Sequence, residues 1–347
     1  MLSEITATYR EMAREIAKRE SLLIVAPEGE DLSDLSPLLY SIETNDTWAR
    51  DHGFITLVPE KRREERGERK GERGKRREER GERKEEVPLL LNFCFNGWGE
   101  KFEAGLDNAI NRRLFDDGGV QGEYVNCLDF VLEGGSIESD GCGTVFTTAQ
   151  CLMAPHRNQP LTKEQIEEEL KRRLCAQRIV WINHGNLVGD DTDGHIDTLV
   201  RICPDNTLLY VGCDDPEDEQ YEELHLMEEE LKTLRTLDGR PYRLLRLPSP
   251  RPIYESADGV TTHLSPLTSH LERLPATYAN FLIVNGAVLY PTYAQPDLDA
   301  EARRVIAEAF PDRELVPIDC RSIIRQHGSL HCCTMQYPEG VLVPEGQ

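Results

Sequence analysis

The sequence predicts an α/β protein built from repeated strand–strand–helix–strand units that close into a ring. First, strand patterns rich in β-branched and aromatic residues alternate with amphipathic helices along the 347 residues. Second, polar motifs interrupt this pattern at similar intervals, near Asp51, Glu133, His195, Asn285 and Cys332. Third, five units of about 64 residues account for the chain once one charged segment is set aside, and such units can turn their polar loops toward a common axis. A two-domain α/β protein is the alternative.

The composition is that of a soluble globular protein with an acidic surface. Hydrophobic residues make up 39% and charged residues 30% of the chain, and the net charge is −23. No apolar run reaches ~18 residues, so no transmembrane helix is expected. The charge excludes nucleic acid as a favoured partner, because phosphate binding needs a basic face, and it weakly favours a cationic ligand.

The N-terminus and the cysteines indicate a cytoplasmic location. The first 20 residues lack the apolar core and the small-residue cleavage site of a secretion signal. Ten cysteines are spread along the chain, mostly inside apolar strand patterns. We therefore expect reduced thiols, one of which is a candidate for catalysis.

The first predicted elements are a helix and three strands. Residues 3–20 place small and apolar residues at helical spacing, with Ser3 as a candidate N-cap. Short apolar runs at 21–27 and 38–43 predict strands, and GFITLV at 53–58 predicts another. A polar turn, NDTWARD, precedes this third strand.

Residues 60–86 differ from the rest of the chain. The sequence KRREERGERK occurs twice there, at 61–70 and 75–84, and the segment holds 13 basic, 10 acidic and no apolar residues. It cannot bury a face against a core, so we expect a solvated, charged loop inserted between two strands. A basic binding arm is the functional alternative, although the acids nearly cancel the bases.

Strands and helices continue to alternate beyond this insertion. A helix at 161–175 starts with Thr162 and has Gln165 three residues later, which is typical of a capping box. Asn285-Gly286 predicts the turn of a hairpin at 277–293. The other predicted helices are 107–115, 216–237 and 297–311, and the other strand regions are 87–95, 122–139, 142–153, 178–183, 184–203, 206–213, 242–250 and 314–320.

Trp48 and Asp51 form the first polar motif, in the turn before the strand at 53–58. A carboxylate beside an indole suits a flat cation, because the carboxylate accepts N–H donors and the ring offers its face. A turn aspartate next to a core tryptophan is the structural alternative.

Glu133 forms the second motif, at the end of an apolar strand and before Gly134-Gly135. A partly desolvated glutamate there could take part in proton transfer or hold a catalytic histidine. A surface glutamate at a turn is the alternative.

His195 and Asp197 form the third motif, in GDDTDGHIDTLV. We expect both to enter a strand, where residues two apart point to the same face. Asp190, Asp191 and Asp193 precede them, but the spacing fits neither a zinc pattern nor the order of a calcium loop. A His/Asp pair that acts on a substrate is favoured over a metal site, because a cysteine and a separate glutamate are also present.

Cys332 and Cys333 follow His331 directly and form the fourth motif. A cysteine beside a histidine, with Gly328 nearby, suits a nucleophilic thiol to which a ligand can approach closely. Two small buried residues are the alternative, since free cysteine is among the most buried residue types.

Together these motifs offer a thiol, a histidine and at least three carboxylates. A cysteine protease has little use for several acids. Several acids around one thiol fit a substrate that is a planar cation with many N–H donors, such as a guanidinium. Carboxylates that bind its nitrogens fix its plane for attack, and the bound cation favours thiolate over thiol. The motifs therefore predict cysteine chemistry on a guanidinium group.

Six stretches resemble the agmatine deiminase and bacterial-type peptidylarginine deiminase family, in the guanidino-group-modifying pentein superfamily. They are NDTWARDHG, FNGWGEKF, LEGGSI, GDDTDGHIDT, YANFLIVNGAVLYPTY and HGSLHCCTMQYP, in the family order. The resemblance implies a five-bladed α/β propeller, with pseudo-fivefold ββαβ units around a central active site and one catalytic domain over residues 1–347. Members of this family usually have a glycine-rich run before the histidine that corresponds to His331. Here only Gly328 remains of it, after Gln326 and His327.

The resemblance also implies a role for each matched catalytic residue. Cys332 would be the nucleophile, and Asp51 and Asp197 would bind the guanidinium nitrogens. His195 would be the general acid and base, oriented by Glu133. No metal or organic cofactor is needed for this chemistry.

The substrate implied by the resemblance is agmatine, converted to N-carbamoylputrescine and ammonia in putrescine (polyamine) biosynthesis. Trp48 would line the substrate channel, and Asp191 would meet the distal amine. An acidic loop suits a free amine better than the α-carboxylate of arginine. Deimination of peptidyl-arginine and non-catalytic guanidine binding are the alternatives, and a homo-oligomer is compatible with the sequence.

Overall fold

The computed structural model describes residues 2–29, 32–59, 87–256, 259–261 and 271–343; the predicted charged loop, 60–86, lies outside the described residues. The described strands are β1 (Leu23–Ala26), β2 (Leu38–Ser41), β3 (Ile55–Leu57), β4 (Leu89–Cys94), β5 (Glu123–Val131), β6 (Ile137–Ser139), β7 (Thr144–Thr148), β8 (Arg178–Ile182), β9 (Val200–Cys203), β10 (Thr207–Val211), β11 (Arg243–Leu247), β12 (Tyr254–Ser256), β13 (Gly259–Thr261), β14 (Leu282–Val284), β15 (Ala287–Thr292) and β16 (Glu314–Asp319). The helices are α1 (Leu2–Ala17), α2 (Ala49–His52), α3 (Gly97–Glu100), α4 (Asp107–Asp116), α5 (Ala149–Leu152), α6 (Lys163–Arg173), α7 (Tyr221–Thr233) and α8 (Pro296–Ala309).

Four three-stranded sheets repeat one topology. They have the orders β3-β4-β5, β6-β7-β8, β9-β10-β11 and β14-β15-β16. In each sheet the first strand is antiparallel to the second, and the second is parallel to the third across one or two intervening helices. A fifth sheet is the parallel pair β1-β2, and β12-β13 is a separate short hairpin. The predicted α/β architecture of repeated ββαβ units is confirmed.

The middle strand of each repeat is the most buried. Every residue of β7 and of β10 is buried, as are five of the six in β15. Such strands read as continuous apolar or β-branched runs because both faces of the sheet are covered. This pattern explains why the sequence shows little strand alternation in these regions.

Local sequence signals explain where several elements begin and end. The hydroxyl of Thr162 accepts from the Gln165 amide and Gln165 caps the Thr162 amide in return, so the predicted capping box at α6 is confirmed. Gly286, with φ of 73°, turns β14 into β15 as predicted. The N-terminal helix is also confirmed, although it ends at Ala17.

Three local predictions were wrong. The strand region predicted at 142–153 ends at Thr148, and the short helix α5 follows it. The NDTWARD region contains the short helix α2 rather than only a turn. His195 and Asp197 do not enter a strand: His195 precedes a 3₁₀ turn at Ile196–Thr198, and β9 begins only at Val200. The 3₁₀ turn lets the two side chains diverge, which strand geometry would not allow.

The core is divided among the repeats, with the largest cluster around β14, β15 and α8. It contains the fully buried rings of Tyr278, Phe281 and Tyr293. Among the described helices, none is both long and apolar enough to cross a lipid bilayer.

Candidate active site

Four connections between consecutive sheets and the segment after the last described strand converge on one buried site. Asp51 lies between β2 and β3, Glu133 between β5 and β6, Asp197 between β8 and β9, and Asn280 before β14, while Cys332 follows β16. All five side chains are buried, and none of the residues exceeds 6% exposure. The structure thus brings together predicted residues that lie up to 281 positions apart in the chain.

Asp51 is held by two donors from other units. Its Oδ2 accepts from the Trp98 indole at 3.0 Å, and its Oδ1 accepts from the Gly135 amide at 3.0 Å. Trp98 takes a left-handed backbone (φ 57°, ψ 48°), which is uncommon for a bulky residue and directs its N–H to this carboxylate. Burial raises the pKa of Asp51 well above its usual value, and Asp197 and Glu133 add to the rise.

His195 is packed against Asp51 without a hydrogen bond. Its Nδ1 lies 3.6 Å from Asp51 Oδ1, and both ring nitrogens are buried without a partner. Burial, reinforced by the charges of Arg157 and Lys101, lowers the pKa of His195 well below its usual value. The ring is therefore neutral at rest, with both nitrogens available to a bound molecule.

Glu133 is anchored by a residue that the sequence patterns did not indicate. Arg157 donates from Nε to Glu133 Oε1 at 2.8 Å and from Nη1 to Asp193 Oδ2 at 2.7 Å. Burial raises the pKa of Glu133 against the opposing effect of Arg157. A hydrogen bond from His195 to Glu133 is not formed, and Glu133 Oε2 is left buried without a partner. The orienting role of Glu133 toward His195 stays a prediction.

Asp197 faces the opposite side of the site and pairs with His331. The distance from Asp197 Oδ2 to His331 Nδ1 is 2.7 Å, while Asp197 Oδ1 is buried without a partner. Burial raises the pKa of Asp197 to about 7, although Arg201 and Arg50 attract the ionised form. The side chain thus has one oxygen committed and one free.

Cys332 lies between these groups. Its Sγ is 3.5 Å from Asn280 Oδ1 and 3.9 Å from Asp197 Oδ2. Burial raises the pKa of the thiol well above its usual value, and the charges of Asp197 and Asp51 raise it further. The resting thiol is therefore protonated, and a cation bound beside it would favour the thiolate.

The Trp48 ring packs against Gly328 in the segment before Cys332. A Cβ on Gly328 would overlap the six-membered ring of Trp48, so this position accommodates only glycine. Trp48 is itself only 5% exposed. This contact gives a reason for the glycine that remains before His331, while the predicted role of Trp48 in a substrate channel stays a prediction.

Asp191 lies at the outer side of the site. It is half-buried, and its backbone carbonyl accepts from Lys101 Nζ at 2.6 Å. Burial and then Asp190 raise the pKa of its carboxyl to about 6, against the attraction of His327 and Lys101. His327 Nδ1 lies 2.8 Å from the Gly189 carbonyl, so the segment before Cys332 contacts the acidic loop.

One group of described residues has the composition of a metal site. Possible ligand atoms of Glu133, Cys151 and His195 lie within 4.8 Å of one another. One feature opposes a cation there, because Arg157 already donates from Nε to Glu133 Oε1 at 2.8 Å and its positive charge would repel the ion.

Several site residues were not among the predicted ones: Trp98, Arg157, Arg201, Asn280 and His331. Arg201 had a local signal, because it is a charged residue inside the apolar strand β9. Asn280 and Trp98 lie in stretches that were noted for their resemblance, but nothing in their spacing indicates their partners. Arg157 lies in a polar turn that is typical of a surface loop.

A family model and a curated relative match nearly the whole chain. The family described as Porphyromonas-type peptidyl-arginine deiminase has a sequence model that matches residues 1–338. The agmatine deiminase of Pseudomonas putida is 32% identical over 352 residues, covering 96% of this chain and 88% of that protein.

Two solved structures share the fold over nearly the whole chain. A Porphyromonas gingivalis protein, provisionally named as an arginine deiminase, has 44% identity and a TM-score of 0.84, covering 99% of this chain and 92% of its own. A cysteine-to-serine variant of C. jejuni agmatine deiminase with substrate bound has 34% identity and a TM-score of 0.79, covering 98% of this chain and 89% of its own.

Proposed function

This chain belongs to the Porphyromonas-type peptidyl-arginine deiminase family, and on that premise we propose that it hydrolyses the guanidinium group of agmatine. The products are N-carbamoylputrescine and ammonia. Relatives that carry the name agmatine deiminase match 96% of this chain or nearly so, which supports this substrate over peptidyl-arginine. A role in putrescine formation and a cytoplasmic location belong to the same proposal.

The observation that carries the proposal is a set of unpartnered polar atoms around one thiol. Glu133 Oε2, both ring nitrogens of His195 and Asp197 Oδ1 are buried without hydrogen bonds. Burying such atoms costs free energy unless a ligand satisfies them. A guanidinium offers N–H donors in a plane to the carboxylates, and its carbon can lie near the Sγ of Cys332.

The first half of the reaction forms a covalent intermediate. The bound cation offsets the burial and the negative charges that raise the pKa of Cys332, and the thiol proton passes to His195. The thiolate attacks the guanidinium carbon to give a tetrahedral adduct. His195 then returns the proton to the departing nitrogen, ammonia leaves, and an S-alkylthiouronium remains on Cys332.

The second half releases the product. His195, neutral again, takes a proton from water as the oxygen attacks the thiouronium carbon. Collapse of this adduct forms the ureido carbonyl and expels the Cys332 sulfur, which takes the proton held by His195 and leaves as the thiol. The hydroxyl proton of the adduct passes to the freed nitrogen of His195 and then to the released ammonia, so the net products are the neutral ureido compound and ammonium. Asp51 and Asp197 hold the remaining nitrogens in both halves, so the reacting carbon keeps one position.

The acidic loop supports an amine at the distal end of the substrate. Asp190 accepts from Thr192 and Gly194, and Asp193 pairs with Lys101 and Arg157, so both are occupied by neighbours. Asp191 keeps a half-buried carboxylate at the outer side. Such a group attracts an ammonium and repels the α-carboxylate of free arginine.

The test is ammonia release by the purified full chain from agmatine, free arginine and an arginine-containing peptide, each with a chelator present. We expect release from agmatine and at least tenfold less from the other two. Release from the peptide but not from agmatine would overturn the substrate, and release from none would overturn the reaction.

The neighbouring cysteines supply a matched pair of variants. Cys332→Ala should abolish turnover, whereas Cys333→Ala should keep it within about threefold, because the Cys333 thiol donates to the Ser329 carbonyl at 3.4 Å and has no part in the mechanism. Equal loss in both variants would contradict the assignment of the nucleophile.

A further inference from the structure

We propose that His331 is a positioning residue, held as the neutral Nδ1–H tautomer by Arg201, and that it directs Oδ1 of Asp197 at the substrate guanidinium. The inference rests on the proposed function and adds a residue to its site. His331 is 4% exposed and touches Asp197 directly. It acts through Asp197 and not on the reacting atoms.

The tautomer follows from the partners of the two ring nitrogens. Arg201 Nη2 lies 3.2 Å from His331 Nε2, and Asp197 Oδ2 lies 2.7 Å from His331 Nδ1. A guanidinium carries only donors, so Nε2 must be the unprotonated acceptor. The single ring proton is then on Nδ1 and is donated to Asp197.

The same contacts prevent His331 from carrying protons. Protonation of Nε2 would break the hydrogen bond from Arg201 and place two cations side by side. Burial, followed by the charges of Arg201 and Arg50, lowers the pKa of His331 well below its usual value. His331 therefore donates to Asp197 at every working pH, which favours the ionised carboxylate.

Arg201 is fixed by contacts from other sheets. Its Nε donates to Glu138 Oε1 on β6 at 2.6 Å, and its Nη1 donates to the Ala279 carbonyl at 3.0 Å. Its guanidinium also lies 4.5 Å from the centre of the Phe281 ring. Arg201 is 3% exposed, so the chain Glu138–Arg201–His331–Asp197 is rigid and largely buried.

The consequence for Asp197 is a fixed carboxylate plane. Its backbone carbonyl accepts from Asn280 Nδ2 at 3.4 Å, and Oδ2 is held by His331. Only rotation that breaks the His331 contact could turn Oδ1 away from the site. The free oxygen is thus presented to the substrate before binding, which removes an ordering cost from the bound state.

The test compares two substitutions of His331 in the full chain. His331→Leu keeps volume but removes both nitrogens, and His331→Asn keeps an amide N–H where Nδ1–H is. For His331→Leu we expect KM for agmatine to rise about 30-fold while kcat falls about fivefold. Without the N–H donor the pKa of Asp197 rises, so the acidic limb of kcat/KM moves to higher pH by about one unit.

His331→Asn should return the acidic limb to within about 0.3 units of the native enzyme. His184→Leu is the matched control, because His184 also lies beside a carboxylate, that of Glu223 at 3.6 Å, but at the surface. A merely structural role predicts lower melting temperatures without a shift of the acidic limb. An unchanged limb and a KM within threefold in His331→Leu would overturn the proposal, as would equal behaviour of the Leu and Asn variants.

Two readouts do not depend on turnover. In Cys332→Ala protein, nitrogen NMR of His331 should show Nδ1 protonated and Nε2 unprotonated. Binding of guanidinium chloride should weaken at least tenfold when His331→Leu is added. If the native chain releases no ammonia from any guanidine, the proposed function fails, and these two measurements still decide the positioning role. A ring protonated at Nε2, or unchanged guanidinium binding, would overturn it.

Discussion

Two histidine–aspartate pairs lie in the same buried site and differ in how completely they are bonded. His195 and Asp51 approach to 3.6 Å without a hydrogen bond, and both nitrogens of His195 are unpartnered. His331 and Asp197 approach to 2.7 Å, and both nitrogens of His331 are occupied. Both imidazoles are almost fully buried, so exposure does not distinguish them.

The difference separates a ring that can exchange protons from a ring that can only hold position. A general acid and base must release one hydrogen bond to form another, and an unpartnered nitrogen does this without loss. A saturated ring loses a contact with every protonation change. The same reasoning applies to the carboxylates: Asp51 has both oxygens bound, whereas Asp197 keeps one free.

The largest effect on activity is expected at the His195–Asp51 pair, in which His195 has no hydrogen bond. His195→Gln should lower kcat by about 10³-fold, because the only proton carrier in the mechanism is lost while volume and polarity are kept. Steady-state ammonia release measures this, with circular dichroism to confirm folding and His184→Gln as the surface control. A loss in kcat smaller than that of His331→Leu would reverse the two assignments.

An intermediate effect is expected at Gly135, whose backbone packs against both His195 and Asp51. A Cβ on Gly135 would lie 2.5 Å from His195 Nδ1 and 2.9 Å from Asp51 Oδ1. Gly135→Ala should push these groups apart and lower kcat/KM by about 10²-fold, since displacements near 1 Å cost that much in other sites.

The control for this substitution is Gly105→Ala, whose added Cβ meets no atom within 4 Å. It should leave kcat/KM unchanged. If Gly135→Ala is equally active, the close approach of His195 and Asp51 is not needed for turnover, and the comparison between the pairs loses its basis.

The smallest expected effect is on the free energy of unfolding, and it comes from Asp197 in the hydrogen-bonded His331–Asp197 pair. Burial lifts the folded pKa of Asp197 to about 7, above an unfolded value near 4. The protonated carboxyl therefore contributes stability that is fully present below about pH 4 and is lost as pH rises through about 7. Asp197→Asn removes this loss, so at pH 8 the variant should be more stable than the native chain by about 1–2 kcal/mol, although inactive.

Urea unfolding at pH 5 and pH 8 measures the effect. The stability difference between variant and native chain should be larger at pH 8 than at pH 5, and guanidinium should stabilise only the native chain. A stability difference that does not change with pH would show that burial does not raise the pKa of Asp197.

Sequence patterns predicted the repeated units and the residues of the site better than the hydrogen bonds between those residues. Resemblance and residue chemistry together indicated Cys332, His195, Asp51, Glu133 and Asp197, and the structure brings all five together. The alternation of strands and helices could be predicted because each middle strand is a buried run of mainly apolar or β-branched residues. The 3₁₀ turn after His195 could not be predicted, because TDGHIDT has no feature that separates it from the start of a strand.

The missing part is the choice of partners. The resemblance implies that Glu133 orients His195, and this role stays a prediction, but no sequence pattern indicated that Arg157 would donate to Glu133 Oε1. The contact between Arg201 and His331 joins residues 130 positions apart, and the relevant distances depend on how the sheets pack. Local sequence strongly constrains the backbone conformation of a residue. The distant atoms that contact its side chain are determined by the whole fold.

The positions of the site residues have a further consequence for mutational tolerance. Each polar motif lies outside the strands, either in a connection between two sheets or, for Cys332, in the segment after β16, while the described strands contribute almost no reacting group. Substitutions in these connections can therefore alter chemistry without removing a ladder hydrogen bond, and strand substitutions can alter folding without touching the reaction. Selection for a new guanidine and selection for a more durable scaffold act on largely separate sets of codons in one gene.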